Sequence, residues 1–213
     1  MAIISGGGVK RIETNVNDSS KNASSAIEND IKNFGEELSQ IWESKSAQEF
    51  AQKAQQLVED IWHQYQTYID GLMGALNTNI QNYNMFNHDS VGGVSLAVPN
   101  VILNLIETIK DSFPDGSGDS RGIKDGRTAT EAVTAFEKLQ NSIEDRLSQA
   151  ESGIVSSDAF DEDELQAIKS NFSKMKENLK TQFNQLTNEV RKALQQTDEE
   201  AARLKSQNIS NVQ

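Results

Sequence analysis

Cysteine is absent from the 213 residues. That removes disulfides and thiolate metal sites, and it fits a cytosolic protein or one exported without disulfide staples. Proline is almost absent, with two in the whole chain. Helix formers such as Ala, Gln, Glu, Lys and Leu run throughout, so the expected fold class is all-α. Aromatics make up only 6% of the chain, and basic residues are outnumbered, 20 Lys and Arg against 32 Asp and Glu. The net charge of -12 argues against nucleic-acid binding, which needs a basic face to neutralise phosphates. It argues equally against electrostatic docking on anionic membranes. Nowhere does an apolar run approach the roughly 18 residues of a membrane span. The opening Met1-Ala2-Ile3-Ile4-Ser5-Gly6-Gly7-Gly8 lacks the basic start of a secretory signal, and three glycines cut its apolar run short.

Histidine is scarce too, with only His63 and His88. His63 falls among helical core-like positions and reads as a boundary residue, not a base. His88 falls at a helix end, where a cation meets the dipole favourably. Gly6-Gly7-Gly8 follows no strand and is not trailed by Lys-Ser/Thr, so it fails as a phosphate loop. The acidic run from Asp158 to Glu164 lacks the spaced ligands, central glycine and closing glutamate of a calcium loop. The sequence therefore predicts no catalytic residues, no metal, no cofactor and no enzyme activity.

What the chain has in abundance is helical periodicity. Apolar residues fall at Ile12, Val16, Ala23, Ile27, Ile31, Phe34, Leu38 and Ile41, nearly all in steps of three, four or seven. They resume at Ala47, Phe50, Ala54, Leu57, Ile61, Tyr65, Ile69, Leu72, Leu76, Ile80 and Tyr83. Two amphipathic helices joined by a few residues at Trp42 to Ser46 bury their stripes as an antiparallel hairpin. A glycine in the first of them, Gly35, costs about 1 kcal/mol relative to alanine and lets a partner helix approach closely. The second helix is apolar on more than one side. Trp62, Tyr65 and Tyr68, with Ile69, Leu72 and Met73, form either a wide core face or a second contact face for another part of the chain or a partner.

The spacing divides the chain as follows: a flexible lead over 1–11, the first hairpin over 12–88, and a linker over 89–126. A short amphipathic helix is expected near 99–113, opened by Pro99 and carrying Val101, Ile102, Leu105, Ile106, Ile109 and Phe113. It is expected to pack as a lid or strut. Pro114 to Gly122 is the strongest linker signal and marks the boundary between halves. A second hairpin follows over 127–205. Thr128 and Glu131 have capping-box spacing, and Val133, Phe136, Leu139, Ile143, Leu147 and Ala150 form the next stripe. Gly153 before Ile154 reads as a glycine stop. Asp161 to Glu164 places negative charge at the next helix start. Leu165, Ile168, Phe172, Met175, Leu179, Phe183, Leu186, Val190, Leu194, Ala201 and Leu204 then continue like a coiled-coil seam. The tail over 206–213 is polar and expected to be disordered. The expected architecture is two long antiparallel helical hairpins, four-helix-bundle or coiled-coil-like, with a short helix between them.

Trp42-Glu43-Ser44, followed by Ala47 and Phe50, resembles the turn of the WXG family of small type VII (ESX-type) secretion substrates. Residues 10–88 match that family in length, helix count, turn position and the small-aromatic pattern after the turn. Ser44 stands where the family has glycine. The family's export signal, Tyr-x-x-x-Asp/Glu, is not matched, because Tyr65, Tyr68 and Tyr83 are followed four residues later by Ile69, Leu72 and Asn87. The resemblance implies a helical hairpin that forms four-helix bundles by dimerising, and export without a signal peptide from a cytoplasmic precursor. It also implies type VII machinery, a cognate effector or a WXG-like protein as partner, with Trp42, Glu43, Ser44, Ala47 and Phe50 as the recognised turn. The doubled hairpin plan raises self-pairing of the two hairpins as an alternative to a homodimer. Two other classes remain open: a structural coiled-coil protein, with Trp42 as a core plug, and a membrane-active helical toxin inserting Val101 to Phe113.

Overall fold

The structure is a computed structural model that describes residues 6–87, 96–97, 101, 103, 105, 108–113, 122–156 and 160–210. The described residues form five helices: α1 (Gly6–Ile41), α2 (Lys45–Asn87), α3 (Thr108–Ser112), α4 (Ala129–Val155) and α5 (Glu162–Ser210). The fold is all-α. α1 with α2 and α4 with α5 form two long antiparallel hairpins, with the short α3 between them, and among the described residues the one β-pairing is an isolated bridge. The Asp89 to Gly93 break, Pro99, Ile102, Ile106, Pro114 to Arg121, His88 and Asp158 lie outside the described residues, as do the side chains of Tyr83, Ala201 and Leu204.

α1 starts well before Ile12, the first residue of the predicted stripe. Val9, 1% exposed, extends the same stripe by one turn, and its burial outweighs the poor helix propensity of the three leading glycines. α4 begins as its capping box requires. The Thr128 N–H donates to Glu131 Oε2 at 2.7 Å and the Glu131 N–H donates to Thr128 Oγ1 at 3.2 Å. The Thr128 N–H, more than any other neighbour, holds the Glu131 carboxyl below its usual range.

Three expectations need correction. The glycine stop at Gly153 is not one, because α4 continues through it to Val155. A Cβ built on Gly153 would lie 2.0 Å from Ser19 Oγ, so this glycine makes room for α1. The described part of the 99–113 helix is α3 alone, while Val101, Leu103 and Leu105 are outside regular structure. The carbonyl of Val101 is taken by side chains of α2, which leaves it unavailable to a helical turn. The α5 helix continues to Ser210, past the expected end at 205.

The chain folds as two compact units, and these do not follow the halves of the sequence. The first takes residues 1–29, 58–104 and 142–179; the second takes 30–57, 105–141 and 180–213. In the first unit, Val16, Ile27, Ile61, Tyr65, Ile69, Met73, Ile143, Leu147, Phe172 and Leu179 are essentially buried. Its helix contacts run around four corners. Ser20 of α1 meets Tyr65 of α2, Tyr65 meets Phe172 of α5 with rings 5.9 Å apart, Lys176 of α5 pairs with Glu151 of α4 at 2.8 Å, and Gly153 of α4 abuts Ser19. In the second unit, Phe34 of α1 packs edge-on against Phe136 of α4 at 4.9 Å. Lys53 of α2 pairs with Glu189 of α5 at 3.1 Å, and Arg191 of α5 with Glu137 of α4 at 2.6 Å. Gly35 does admit a close neighbour, as its position suggests, but the neighbour is α3: a Cβ there would lie 2.7 Å from Ser112 Oγ and 3.0 Å from Ile109 Cδ1.

Candidate functional site at the Trp42 turn

The connection between α1 and α2 is three residues, Trp42, Glu43 and Ser44. The Trp42 N–H still donates to Leu38 O at 2.8 Å, so the helical ladder of α1 ends only at the indole. Ser44 opens the next helix. Its Oγ accepts the Ala47 N–H at 3.1 Å and its carbonyl accepts the Gln48 N–H at 3.3 Å, which makes it the N-cap of α2. A glycine at this position has no such acceptor. Replacing Ser44 by alanine is expected to cost about 1 kcal/mol, and by glycine only a few tenths, measured by urea unfolding. An equal loss for both would show that the hydroxyl does not cap.

The turn is not open to solvent. Trp42 forms an isolated antiparallel bridge with Ile123, closed by the Glu43 N–H on Gly122 O at 3.3 Å and the Lys124 N–H on Ile41 O at 2.9 Å. Lys124 also reaches Glu43, Nζ to Oε2 3.8 Å, a half-exposed pair of small energetic worth. Trp42 is 2% exposed and Ala47 fully buried, with Ser44 at the edge of burial. The indole stacks on the Phe50 ring, centroids 5.8 Å apart and planes 29° apart. Phe50 is itself only half-buried, and Lys53 Nζ lies 5.0 Å from its centroid. Of the five residues of the turn motif, Glu43 and Phe50 are therefore the ones that reach the surface. Beside the turn, Glu37, Gln40, Ile41, Arg127, Thr130, Glu131, Thr134 and Lys138 line a groove of about 380 Å³. Its two cations are already engaged, Lys138 with Glu37 at 2.6 Å and Arg127 with Glu131 at 3.4 Å.

The second group of residues separates. Trp62 and Tyr65 are 3% and 1% exposed, stacked at 4.6 Å, and belong to the core of the first unit. Tyr68 is half-buried, its ring edge-on to Phe172 at 6.0 Å. It lines a shallow groove of about 410 Å³ with Gln64, Asn171, Lys174, Met175 and Asn178. Only Tyr68 of the three stands where a partner can touch it. Ser20 Oγ donates its one proton to Val16 O at 2.7 Å, so the Tyr65 hydroxyl is the donor in the 2.7 Å contact between them.

Burial pushes the Tyr65 phenol up to about 12. A phenol whose folded pKa lies above its unfolded value contributes its stabilisation fully below the unfolded pKa near 10, and loses it as pH rises through that value toward 12. Absorbance titration of the phenols is expected to show one of the three tyrosines ionising near pH 12, with the melting temperature falling above pH 10. The Tyr65→Phe variant should lack that late step. If it retains it, the assignment is wrong.

Sequence reasoning did not pick out Gly122, Ile123 and Lys124 as the cover of the turn. The one available signal was Ile123, the single aliphatic residue in the polar stretch from Pro114 to Arg127. Among the described residues no helix is long and apolar enough to cross a membrane, and no group of three or more His, Cys, Asp or Glu is placed to hold a metal ion. Comparison with protein-family models, curated proteins and solved structures gives no match for this chain.

Proposed function

We propose that this chain is a type VII (ESX-type) secretion substrate or the helical targeting or chaperone partner of a secreted effector, acting by protein–protein contact and not by catalysis. The observation that carries the reading is the turn. Trp42 closes two long antiparallel helices, Ser44 caps the second, and Ala47 and Phe50 follow in its first turns. On this reading the chain leaves the cell by the type VII route from a cytoplasmic pool, and Glu43 and Phe50 are the parts of the motif a partner reads. The second hairpin takes the place that a dimer partner has in the WXG family. A single hairpin buries little core, and a chain with two supplies its own partner. Contacts such as Phe34–Phe136 and Tyr65–Phe172, each inside one unit, support this self-pairing.

The deciding experiment is detection of the protein in culture supernatant of the native host. Loss of the extracellular protein on deletion of the ESX-type ATPase is the expected result. Equal amounts in both strains would sink the proposal. Light scattering of the pure protein is expected to give a monomer mass, and a stable dimer would remove the self-pairing part.

A structural coiled-coil role is the second reading. It is favoured by the burial of Trp42, whose turn is paired through its main chain with Gly122 to Lys124, as a core plug would be. Under that reading the protein stays with its assembly and no export dependence is seen.

A further inference from the structure

In a chain of net charge -12, the groove lined by Gln64 and Tyr68 of α2 with Asn171, Lys174, Met175 and Asn178 of α5 contains no acidic residue. All six residues belong to the first unit. Lys174 is exposed and has no ion-pair partner among the described residues. Glu177, the one acid within a turn of it on α5, is exposed and does not pair with it. The groove beside the Trp42 turn differs on this point, since both of its cations already hold a carboxylate.

Three donors of the groove lack acceptors. Gln64 spends its Oε1 on the Asn178 Nδ2 at 3.0 Å, so its own Nε2 is a donor with no partner among the described residues. The Tyr68 hydroxyl has none among them either, and burial holds its phenol above the ordinary range, in the protonated form. The Lys174 ammonium is the third. A carboxylate, which has two oxygens and no proton, accepts from all of them. Asn171 supplies the complementary acceptor: its Nδ2 is taken by Ala167 O at 2.9 Å, which leaves its Oδ1 for a main-chain N–H. The remaining surface is apolar. Met175 is 6% exposed, and the Tyr68 ring is held edge-on to Phe172 at 6.0 Å. A thioether beside a fixed ring adapts to an aliphatic side chain.

Size limits the occupant. Asn171 and Asn178 are seven residues apart on α5, about 10 Å at 1.5 Å per residue. That length takes about three residues of extended chain. It falls far short of the roughly 800 Å² per partner that a stable dimer buries. Charge argues against a second copy as well, because two chains of net charge -12 repel each other.

We infer that this groove between α2 and α5 is a docking site for a short acidic-apolar segment of a partner protein. One Asp or Glu side chain of the segment is held by Lys174, Tyr68 and Gln64, and its aliphatic neighbour rests on Met175. The inference stands on these residues and does not depend on the secretion reading.

The probe is the peptide acetyl-Leu-Glu-Leu-amide, titrated into isotope-labelled full-length protein and followed by NMR. The side-chain amide signals of Gln64, Asn171 and Asn178 are the reporters, and they are expected to move together. The uncharged isostere acetyl-Leu-Gln-Leu-amide should bind about fivefold more weakly, the worth of one partly exposed charge contact. Lys174→Gln should erase that difference, and Tyr68→Phe, which keeps the ring and removes the donor, should narrow it. Lys169→Gln, exposed on the same helix and outside the groove lining, should leave it unchanged. Unmoved reporters, equal binding of the two peptides, or a difference that survives Lys174→Gln would each overturn the inference. Equal shifts with sodium acetate at the same concentration would make the groove a site for any small carboxylate and overturn the partner assignment. Reporter signals that move with protein concentration alone would assign the groove to a second copy, with the same consequence.

Discussion

Replacing Trp42 by alanine is expected to destabilise the protein by about 3–5 kcal/mol, the range for deleting a large buried aromatic. Three observations set that magnitude. The indole is 2% exposed, so nearly all its surface is removed from water. Its stack on Phe50 adds the roughly 0.5–1.5 kcal/mol that aromatic pairs contribute beyond area. The bridge over the turn is made by main-chain groups of Ile41, Glu43, Gly122 and Lys124, which alanine retains. The turn should therefore keep its path and leave a cavity beneath it, rather than collapse to fill the space. Urea unfolding checks the number, and a loss under 1 kcal/mol would mean that the indole is not the plug of this turn. Phe50→Ala is the informative companion. It is half-buried and its stability cost should be smaller, yet it removes the aromatic surface that remains accessible. In an export or partner-binding assay, Trp42→Ala is expected to lose function in proportion to stability. Phe50→Ala is expected to lose more function than its melting temperature explains. If the order is reversed, with Trp42→Ala inactive at unchanged stability, the indole itself is the recognised group.

The division of labour between Trp42 and Phe50 was not legible in the sequence, and the reason is physical. Periodicity tells which face of a helix is apolar, and it placed α1, α2, α4 and α5 well because each carries its stripe for about five turns or more. It says nothing about what covers a turn. The cover comes from Gly122 to Lys124, some 80 residues downstream, through backbone bonds that any residue type can make. Trp62, Tyr65 and Tyr68 show the same limit. Their spacing left both a wide core face and a partner face open, and the choice was made by α5: Phe172 meets both tyrosines, yet only Tyr65 is closed off. Ser44 is the opposite case. A serine three residues before Ala47 is a recognisable N-cap, but comparison with a glycine-bearing motif drew attention to what it lacked instead of what its hydroxyl does. The connector that grips α2 was hidden most deeply, since hydrogen bonds to its main chain leave no trace in residue identity.

Glycine misled in one place, and that place gives the second large effect. Gly153 before Ile154 has the pattern of a helix stop, but the structure shows a helix interior pressed on α1 within the first unit. Gly153→Leu is expected to cost about 3 kcal/mol, the upper part of the range for overpacking. A Cβ at this position lies 2.0 Å from Ser19 Oγ and 3.2 Å from Ser19 Cβ. The hydroxyl can rotate away from a methyl group, but the Ser19 Cβ belongs to the helix and moves only if α1 moves. Gly153→Ala should therefore be near neutral, the gain of about 1 kcal/mol in helix propensity offsetting the displaced hydroxyl. Ser19→Ala should turn that variant into a stabilised one, with a coupling energy above about 0.5 kcal/mol in the double-mutant cycle. Gly71→Ala is the reference, because Gly71 is exposed inside α2 with nothing within 4 Å of the added carbon. It is expected to gain most of the same 1 kcal/mol with no coupling to Ser19. Chemical denaturation of the set decides the matter: if Gly153→Leu is no worse than Gly71→Leu, α4 does not approach α1 at Ser19, and Gly153 has no packing role there.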